Sequence, residues 1–507
     1  MTKHPDTPPE IELKYGFAPE RADAIRREID AAGGERAEHQ AIYWDTADAA
    51  LARGGLSLRL RREGPRWVQT LKLATRGGLA QRLEHEVAVD ARASSEPRVD
   101  PTRHDGTAAG QALREALAAA GHPLLQVRHR TQVWRHAARL RVPGGQGDAV
   151  VQVSMDEGEL QAGETSAPVR ELEFELLAGP SDALAAACIP WIARHGLWLA
   201  SESKAERGER LRAGRPLPVV KARASSVQPG VCGAAVFHAV LRDCLAHILP
   251  NAAALAEGST DEDHVHQMRV GLRRLRTAVR ELSRLAGGAE PAAWEPTLAL
   301  VFRQLGSVRD AQTVIASVTP ALSEAGAVGV PWRTTAGDAS LQAIARSSAL
   351  HEVLTAIQIH ALRPLDGSRL RPAHARRRIR KRLKALHRRV LADGLRFRQL
   401  PIEAQHDVRK RLKRLRYLTE FAQPLFRADE VDAYLELMRP AQDQLGLHND
   451  YAVARSLIDE SALAQGHPAA MRAAAWLEEQ LHDTARRSAK ALRRLAKAPG
   501  FWRHRAA

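Results

Sequence analysis

The strongest constraint on the fold is a period-two alternation of charged and apolar residues near the start of the chain. It begins at Glu10-Ile11-Glu12-Leu13-Lys14, where two carboxylates and an ammonium alternate with two aliphatic side chains. Successive residues of a β-strand point to opposite faces, so Glu10, Glu12 and Lys14 share one face. The scheme recurs in five segments, whose polar members are Arg59 and Arg61; Thr70 and Lys72; Arg82, Glu84 and Glu86; Gln152, Ser154 and Asp156; and Glu171, Glu173 and Glu175. The pattern predicts antiparallel strands with one apolar face and one face of mixed charge.

An antiparallel sheet that closes into a barrel can turn either face inward. If the apolar faces are inside, the charges form an ordinary solvated exterior. If the charged faces are inside, the barrel is a polar tunnel and helices must cover its apolar outside. The second arrangement brings carboxylates, which suit Mg²⁺ or Mn²⁺, close to lysines and arginines, which suit phosphate oxygens. We expect this arrangement, and therefore a substrate with several phosphate groups.

The alternating strands resemble the CYTH superfamily of triphosphate tunnel metalloenzymes. The strand Glu10-x-Glu12-x-Lys14 looks like the family's opening signature. Four further similar segments follow in order: Tyr43-Trp44-Asp45-Thr46, Leu58-Arg59-Leu60-Arg61, Glu171-Leu172-Glu173 and Ser203-Lys204-Ala205-Glu206-Arg207-Gly208. The resemblance implies an α+β domain built on an eight-stranded antiparallel tunnel barrel. It also implies an inorganic triphosphatase-like enzyme that depends on Mg²⁺ or Mn²⁺.

The same resemblance implies a role for each charged position. The metal ligands would be Glu10, Glu12, Glu171 and Glu173, with Asp156 as an additional ligand. The triphosphate clamp would be Lys14, Arg59, Arg61, Lys72, Arg135 and Lys204, with Arg82 as a further member. Glu171 or Glu173 would accept the proton of the attacking water. Two choices stay open: Glu175 shares the strand face of Glu171 and Glu173, and Arg128, Arg130 and Arg139 compete with Arg135.

The substrate is the main alternative that the resemblance leaves open. Related domains hydrolyse inorganic triphosphate, thiamine triphosphate or RNA 5′-triphosphates, or cyclise ATP. A nucleoside or thiamine pocket should need dedicated aromatic or hydrogen-bonding residues, and none stands out in the sequence. We therefore expect inorganic triphosphate. The alternatives are an organic triphosphate such as thiamine triphosphate, or a non-catalytic protein that binds polyphosphate on granules.

Length, charge and cysteine content narrow the class of protein. A chain of 507 residues predicts two or three domains, and a formal net charge of +16 predicts a polyanionic partner. No run approaches the roughly 20 apolar residues that span a bilayer, so we expect no membrane segment. The cysteines, Cys188, Cys232 and Cys244, have no metal-ligand spacing and cannot form a disulfide framework. This favours a reducing cytoplasm, with polyphosphate granules as a possible location there.

The C-terminal part contains an internal duplication with an offset of 140 residues. His266, Arg269, Arg273, Arg276 and Arg280 follow steps of three and four, and His406, Arg409, Lys413, Arg416 and Glu420 repeat those steps. These steps place each set on one helix face, where like charges repel by a few tenths of a kcal/mol per pair. One interpretation is a solvated face with acidic partners elsewhere in the fold. The other, which we favour, is a cationic stripe for a long polyanion.

Two short segments of the duplication resemble the CHAD domain, the conserved-histidine α-helical domain: Asp263-His264-Val265-His266-Gln267-Met268-Arg269 and His406-Asp407-Val408-Arg409-Lys410. The resemblance implies an all-α domain of two duplicated four-helix bundles that binds inorganic polyphosphate. The implied contact residues are His264, His266, Arg269, Arg273, Arg276, Arg280, His406, Arg409, Lys410, Lys413 and Arg416. Metal binding by these histidines is a minor alternative.

Nucleic acid is a second candidate partner for the basic helices. Residues 371–416 contain eighteen Lys and Arg but three Asp and Glu, and Phe397, with Tyr417 directly after the segment, is its only aromatic ring of the Phe, Tyr and Trp type. Binders of single-stranded nucleic acid usually stack bases on aromatic side chains, so the composition favours phosphate without bases. The predicted domains are residues 1–211, a Pro-containing linker at 212–230, and residues 231–503 with repeat halves 231–370 and 371–503.

Overall fold

The alternating segments are strands of one antiparallel sheet in the computed structural model. The structure describes residues 10–64, 66–74, 81–89, 96–143, 148–287, 290–307, 310–333, 340–365 and 371–503. The strands are β1 (Glu10–Gly16), β2 (Glu35–Asp45), β3 (Leu56–Glu63), β4 (Arg66–Ala74), β5 (Gln81–Val89), β6 (Gln126–Val142), β7 (Ala149–Ala162), β8 (Thr165–Ala178) and β9 (Trp198–Leu199). Their order is β5-β4-β3-β2-β6-β7-β8-β1-β9, with β5 also paired to β1. The first eight strands therefore form a closed barrel, and the two-residue β9 adds to β1.

The register aligns acids and bases across the barrel wall. Lys14 of β1 pairs with Glu173 of β8, and Lys72 of β4 pairs with Glu84 of β5. Arg135 of β6 pairs with Asp156 of β7. Because directly paired residues point to the same side of a sheet, each pair places opposite charges together on the inner face.

The described residues of this part of the sequence form five helices: α1 (Ala22–Ala31), α2 (Ala50–Arg53), α3 (Ala108–Ala119), α4 (Asp182–His195) and α5 (Lys204–Arg212). Leu113 of α3 and Leu51 of α2 pack against the apolar face of β3 and β4 at Leu58 and Leu71. Trp191 of α4 packs edge-on against Phe174 of β8. The helices thus cover the apolar outside of the barrel, as predicted for a tunnel with charged faces inside.

The α5 helix begins at a capping box that the sequence encodes. The Ser203 side chain accepts a hydrogen bond from the backbone N–H of Glu206, and the Glu206 carboxylate accepts one from the backbone N–H of Ser203. This reciprocal pair satisfies two backbone donors at the helix start and fixes its position. Lys204 is consequently held at the first helical residue.

The rest of the chain is helical: α6 (Gly233–Ala256), α7 (Glu262–Leu282), α8 (Glu290–Ser307), α9 (Asp310–Glu324), α10 (Leu341–Ala345), α11 (Ser348–His360), α12 (Pro372–Gly394), α13 (Ile402–Ala422), α14 (Ala428–Leu457), α15 (Glu460–Ala464) and α16 (Pro468–Ala496). Both ends of α13 lie 140 residues after those of α7, which matches the duplication in the sequence. No helix in the described residues is long and apolar enough to cross a membrane.

The chain forms two compact units that are not continuous in sequence. Unit 1 contains Met1–Lys221, Leu245–Met268 and Ala345–Arg363, and unit 2 contains Ala222–Cys244, Arg269–Ile344 and Pro364–Ala507. No helix or strand lies between Arg212 and Gly233, where the linker was predicted and all residues are described. Each compact unit contains separate segments of the helical part, so the units do not meet at a single position in the sequence. The predicted domain boundaries therefore stay a prediction.

Within unit 1, the segment Ala345–Arg363 holds the strand that carries the opening signature. The hydroxyl of Tyr15 on β1 hydrogen-bonds the Thr355 hydroxyl at 2.8 Å, and both residues are fully buried. His351 Nδ1 accepts a hydrogen bond from the backbone N–H of Leu199 on β9 at 3.1 Å. The guanidinium of Arg346 lies 4.2 Å from the ring centroid of Trp198. Through these contacts α11 stabilises β1 and its neighbour β9.

Candidate active site in the barrel and basic helices

The interior of the barrel is a cavity of about 440 Å³ to which each of the eight long strands contributes side chains. The charged residues that border it include Glu10, Glu12, Lys14, Arg59, Arg61, Glu63, Lys72, Glu84, Glu86, Arg128, Arg135, Asp156, Glu173, Glu175, Lys204, Glu206 and Glu209. Acids and bases are therefore interleaved around one cavity. That arrangement can neutralise a highly charged ligand at several points at once.

The densest ion-pair cluster is centred on two carboxylates, Asp156 and Glu173. Arg135 donates two hydrogen bonds of 2.7 Å to Asp156 and one of 2.9 Å to Glu173. Lys14 Nζ lies 2.9 Å from Glu173 Oε1, and Lys204 Nζ lies 2.8 Å from Asp156 Oδ2. The same cations also contact two further acids, since Lys204 Nζ lies 2.5 Å from Glu171 and Lys14 Nζ lies 3.5 Å from Glu12, so three cations and four acids form one ion-pair network at this wall.

The pKa directions in this cluster follow from burial and pairing. Burial alone would raise the pKa of Asp156, but Arg135 and Lys204 lower it below the ordinary carboxyl value. Burial likewise opposes ionisation of Glu173, whereas Lys14, Lys204 and Arg135 bring its pKa well below the ordinary value. Burial opposes the charge of Lys204, yet the surrounding carboxylates raise its pKa well above that of an ordinary lysine. All these groups are therefore ionised at neutral pH.

Glu171 lies behind this cluster rather than in the lining. Its Oε2 atom is 2.5 Å from Lys204 Nζ, which also lies 3.4 Å from Glu173 Oε1. Among the described residues predicted as metal ligands, Glu171 alone does not border the cavity, whereas Glu173 and Glu175 do. Glu171 thus positions Lys204 in this structure.

A second cluster is centred on Glu84 of β5. Lys72 Nζ lies 2.7 Å from Glu84 Oε2, and Arg59 Nη2 lies 3.8 Å from Glu84 Oε1. Burial works against the Glu84 charge, but Lys72, a hydrogen bond with Glu10 and Arg59 together lower its pKa below the ordinary value. Although burial opposes the charge of Arg59 too, Tyr43 and Glu84 raise its pKa. Glu84 was not predicted as a site residue, although its alternation with Arg82 and Glu86 had placed it on the charged face.

Arg61 completes the cationic side of this wall. Its Nη2 atom lies 3.1 Å from Glu86 Oε1 and 2.5 Å from Glu63 Oε1. Burial and the neighbouring Arg59 lower the pKa of Arg61. Two guanidinium groups held side by side are a suitable geometry for an anion with several oxygens.

The four candidate arginines of β6 lie in different environments. Arg135 reaches the cavity carboxylates, as described. Arg128 borders the cavity but its guanidinium binds Glu209 at 2.9 and 3.0 Å. Arg130 forms a two-point ion pair with Glu96, and Arg139 is exposed. For the remaining predicted clamp residue, Arg82, the backbone pairs with Glu10. The Arg82 side chain lies outside the described residues.

A divalent metal is implied by the resemblance, and the residues can be tested for it. In the part of the chain that the structure describes, no group of three or more His, Cys, Asp or Glu side chains is arranged to hold a metal ion. The donor chemistry nevertheless fits a hard cation, because Glu10, Glu12, Glu84, Glu173 and Glu175 all border the cavity with carboxylate oxygens. The hydrogen bond between Glu10 and Glu84 also brings two carboxyl groups within reach of one cation.

The aromatic residues in the lining are already engaged. Tyr43 is buried and its ring stacks on His129, with the centroids 4.3 Å apart and the planes 18° apart. Trp44 packs against the apolar cluster that contains Ile42 and Trp67. Both rings therefore already have protein contacts.

In unit 2, the basic side chains of α7 surround one aromatic ring. The guanidinium carbons of Arg269, Arg273 and Arg276 lie 5.4, 5.2 and 5.5 Å from the ring centroid of Phe302 on α8. Arg276 and Arg280 also both donate hydrogen bonds to Glu295 Oε1. The alternative interpretation, that acidic partners lie elsewhere in the fold, therefore holds for Arg276 and Arg280.

The α13 set contains two cations in ion pairs and one lysine whose pKa is lowered. Arg416 donates a hydrogen bond to Glu420 at 2.6 Å, and Lys410 contacts Asp407 at 3.3 Å. Burial, together with the positive charges of Arg273, Arg409 and Arg416, lowers the pKa of Lys413 to about 6 against a smaller opposite effect of Asp450. Lys413 is therefore largely neutral at pH 7 and gains its charge only when the local potential becomes more negative.

The histidines of the two segments have hydrogen-bond partners typical of structural residues. His264 is buried in unit 1, and its Nδ1 atom lies 3.1 Å from Asn251 Oδ1. His406 Nδ1 contacts Asn449 Oδ1 in unit 2, and burial lowers the pKa of His406. His266 is exposed. Within the described residues these contacts give no support to a histidine metal site.

Arg409 is the last member of the predicted set. It is half-buried on α13, where its charge acts on Lys413 as described. Of the predicted polyphosphate contacts in unit 2, Arg273, Arg409, Lys413 and Arg416 therefore lie close enough to influence one another electrostatically.

Comparison with known proteins assigns both halves of the chain. One family model, the CYTH domain, matches residues 8–208, and another, the CHAD domain, matches residues 239–459. The solved CHAD domain from the plant Ricinus communis is 29% identical, covers 56% of this chain and 99% of that chain, and has a TM-score of 0.45. A candidate adenylyl cyclase from Hippeastrum with a dominant triphosphatase activity is 16% identical, with coverage of 41% and 98% and a TM-score of 0.30. A candidate adenylate cyclase from Bacillus halodurans is 16% identical, with coverage of 39% and 96% and a TM-score of 0.27. This chain therefore carries a CYTH domain followed by a CHAD domain.

Proposed function

We propose that the barrel hydrolyses inorganic triphosphate with the help of Mg²⁺ or Mn²⁺, and that the basic helices bind inorganic polyphosphate. One observation carries the proposal for the barrel: six cations, Lys14, Arg59, Arg61, Lys72, Arg135 and Lys204, converge with carboxylates on one cavity. The match to the CYTH domain supports a triphosphate tunnel enzyme.

The cations would bind and orient the substrate. Arg135 and Lys204 on one wall and Arg59 and Lys72 on the other are held by carboxylates, so their positions are fixed before substrate arrives. Phosphoryl transfer depends mostly on such positioning and on neutralisation of the phosphate oxygens. A chain of three phosphates would exchange the carboxylate contacts for phosphate contacts at several points.

The acids would divide into metal ligands and a proton acceptor. Glu10, Glu12, Glu173 and Asp156 would hold the cation, with Glu84 added to the set because of its contact with Glu10. When bound, a divalent cation would neutralise phosphate oxygens and lower the pKa of a coordinated water. Glu173, which borders the cavity, would accept the proton of the attacking water, whereas Glu171 would position Lys204. The products are inorganic phosphate and diphosphate.

Inorganic triphosphate is favoured over organic triphosphates by the lining of the cavity. Tyr43 is stacked on His129 and Trp44 packs against an apolar cluster, so both aromatic rings of the lining already have protein contacts. The remaining lining is largely charged, which suits a ligand made of phosphate alone.

Polyphosphate binding is proposed for the residues on α7 and α13. Arg273, Arg409 and Lys413 form a cluster in which burial and mutual repulsion suppress the Lys413 charge. A phosphate chain would relieve that repulsion, which gives the cluster a physical reason to prefer a polyanion. The CHAD match supports this assignment, and nucleic acid remains the second candidate partner.

A location in the cytoplasm, with recruitment to polyphosphate granules, is consistent with these assignments. Cys188, Cys232 and Cys244 are free thiols, and Cys188 and Cys244 are buried. Fluorescence microscopy of the tagged chain in cells with and without polyphosphate tests the location: granule foci should vanish when polyphosphate is absent.

A substrate panel tests the catalytic proposal. Phosphate release is measured from tripolyphosphate, thiamine triphosphate and ATP, each with Mg²⁺, Mn²⁺ or a chelator. The proposal expects metal-dependent turnover with tripolyphosphate as the preferred substrate. Glu12→Gln should abolish most of this turnover, whereas Glu159→Gln, an exposed change on β7, should not. A preference for thiamine triphosphate or ATP would refute the substrate assignment, and absence of any turnover would favour a purely binding protein.

A further inference from the structure

The α12 helix carries a row of exposed cations that the α7 and α13 set does not include. Arg377, Lys381, Lys384 and Arg388 follow steps of four, three and four, so they share one face along about 16 Å of helix axis. All four are exposed. The apolar residues of α12, which include Ile379, Leu383 and Val390, are buried on the opposite side.

In the part of the chain that the structure describes, no acidic residue is paired with this row. Among the described residues, none of these four side chains makes an ion pair or hydrogen bond. The acids near the helix are already occupied: Glu281 binds Arg382, and Asp393 binds Arg411. Like charges at these spacings lower helix stability, so the row costs free energy in the isolated protein.

The internal duplication shows that the fold of the repeat does not require these charges. The offset of 140 residues makes α6 the counterpart of α12 in the repeat, since Gly233 corresponds to position 373 and Ala256 to position 396. The α6 sequence contains one basic residue of the Lys and Arg type, Arg242, whereas the α12 sequence contains nine. The two helices share a place in the repeat but not the cationic face, because α6 is buried along most of its length whereas α12 has an exposed side.

We propose that this face of α12 is a second binding surface for long-chain inorganic polyphosphate, used together with the α7 and α13 set by one chain. This inference rests on the proposed polyphosphate function. A membrane is disfavoured because Ile379, Leu383, Leu386 and Val390 are buried, so the face has no apolar group to insert. Single-stranded nucleic acid is disfavoured because α12 has no Phe, Tyr or Trp side chain for base stacking.

A second surface adds affinity only for a ligand long enough to reach both. Binding at the first surface raises the effective concentration of the chain at the second, without any new contact at the first. A short oligophosphate fills the α7 and α13 set alone. Long chains should therefore bind more tightly per molecule and with a steeper dependence on salt.

The test uses the full-length protein with four exposed residues of α12 changed to glutamine: R377Q, K381Q, K384Q and R388Q. Glutamine has a helix propensity close to that of Arg and Lys, so α12 should persist. The control changes four exposed cations near the end of α16, K490Q, R493Q, R494Q and K497Q, which remove the same charge from the same unit. Circular dichroism confirms that both variants fold.

Affinity is measured for a short oligophosphate and for a long polyphosphate over a range of salt concentrations. The α12 variant should bind the long chain about 10-fold to 100-fold more weakly while its affinity for the short chain stays within about twofold. Its salt slope for the long chain should fall by about 3, at about 0.7 for each lost phosphate contact. The α16 variant should behave like the parent protein.

Three results would overturn the inference. Equal losses in both variants would show that bulk charge explains the binding. An unchanged long-chain affinity in the α12 variant would show that the row is only a solvated face. If the α12 variant lost affinity for duplex RNA or DNA but kept that for long polyphosphate, the surface would belong to nucleic acid. Failure of the proposed function is distinct, because the parent protein would then bind neither the short nor the long phosphate chain.

Discussion

Two arginines on the same strand provide a matched test of the cavity. Arg135 and Arg130 both lie on β6, and both make two-point contacts with a carboxylate. Arg135 faces Asp156 and Glu173 inside the barrel, whereas Arg130 faces Glu96 at an exposed position. The changes Arg135→Gln and Arg130→Gln remove the same charge from the same strand, so any difference between them reports the environment.

The effect on stability should differ because the two environments differ. The Arg135 side chain is 21% exposed and Asp156 is 1% exposed, so this pair is largely shielded from water. Loss of one partner of a buried pair costs about 3–5 kcal/mol, and we expect about 3 kcal/mol because Lys204 still lies 2.8 Å from Asp156. The Arg130–Glu96 pair is 44% and 43% exposed, and its loss should cost about 0–1 kcal/mol.

The pH dependence separates a charge effect from a packing effect. The lowered pKa of Asp156 means that its pairing contributes stability above the ordinary carboxyl pKa of about 4 and loses it as the pH falls through the lowered value. The free-energy cost of Arg135→Gln should therefore be full at neutral pH and shrink on acidification. Urea unfolding followed by tryptophan fluorescence measures it in both variants.

The effect on catalysis is measured as phosphate release from tripolyphosphate. Removal of one preorganised charge donor costs about 10²–10³ in kcat, so we expect that loss in Arg135→Gln and near-parental rates in Arg130→Gln. Equal rates in the two variants would refute the assignment of Arg135 to the substrate site. A stability loss in Arg135→Gln that persisted unchanged at low pH would refute the ionic explanation.

Three further predictions concern other residues. Since the pKa of Lys413 is lowered to about 6, polyphosphate binding should take up a proton at pH values between about 6 and the ordinary lysine pKa of about 10.4. The affinity should therefore rise as the pH falls and become constant below about pH 6. Calorimetry in buffers of different ionisation enthalpy measures the proton uptake, and Lys413→Met should remove it. Thr355→Val should destabilise unit 1 by about 1–3 kcal/mol because it leaves the buried Tyr15 hydroxyl without this partner. Addition of Tyr15→Phe should recover much of that loss. A double variant whose loss of stability equals the sum of the losses of the two single variants would contradict this. Glu84→Gln should raise the Mn²⁺ concentration for half-maximal activity by about 10-fold, whereas Glu159→Gln should leave it unchanged, and identical metal titrations would argue against a metal role for Glu84.

The parts of the fold that follow from local pattern were predictable from the sequence. The alternation at Glu10, Glu12 and Lys14 specified which strand face is charged, because the side-chain period of a strand is fixed by its geometry. Likewise the steps of three and four in the duplication specified two corresponding helices, and α7 and α13 have the same length. In both cases the period of the sequence pattern follows directly from the backbone geometry of the strand or helix.

The parts that depend on contacts distant in sequence were not predictable. Tyr15 and Thr355 are 340 positions apart, and no local pattern indicates that α11 supports β1. Glu295 lies on α8, so its pairing with Arg276 and Arg280 could not be recognised from the α7 stripe alone. These contacts are set by tertiary packing, which a periodicity does not encode.

Glu84 is a different case, because its position was recognised but its role was not. The alternation placed it on the charged face, yet its partners Lys72 and Glu10 lie on β4 and β1. Closure of the barrel between β5 and β1 brings the three together. Because closure joins strands far apart in sequence, chemistry at the seam requires the three-dimensional structure.

The central claim is that the charged cavity of the barrel cleaves a chain of phosphates. The most direct measurement is the rate of phosphate release from tripolyphosphate by the full-length protein, with Mn²⁺ or Mg²⁺ and with chelator, for the parent protein and Arg135→Gln. We expect turnover that requires the metal, yields one phosphate and one diphosphate, and falls by about 10²–10³ in the variant. Turnover that is absent under all conditions, or that is unchanged in Arg135→Gln, would contradict the claim.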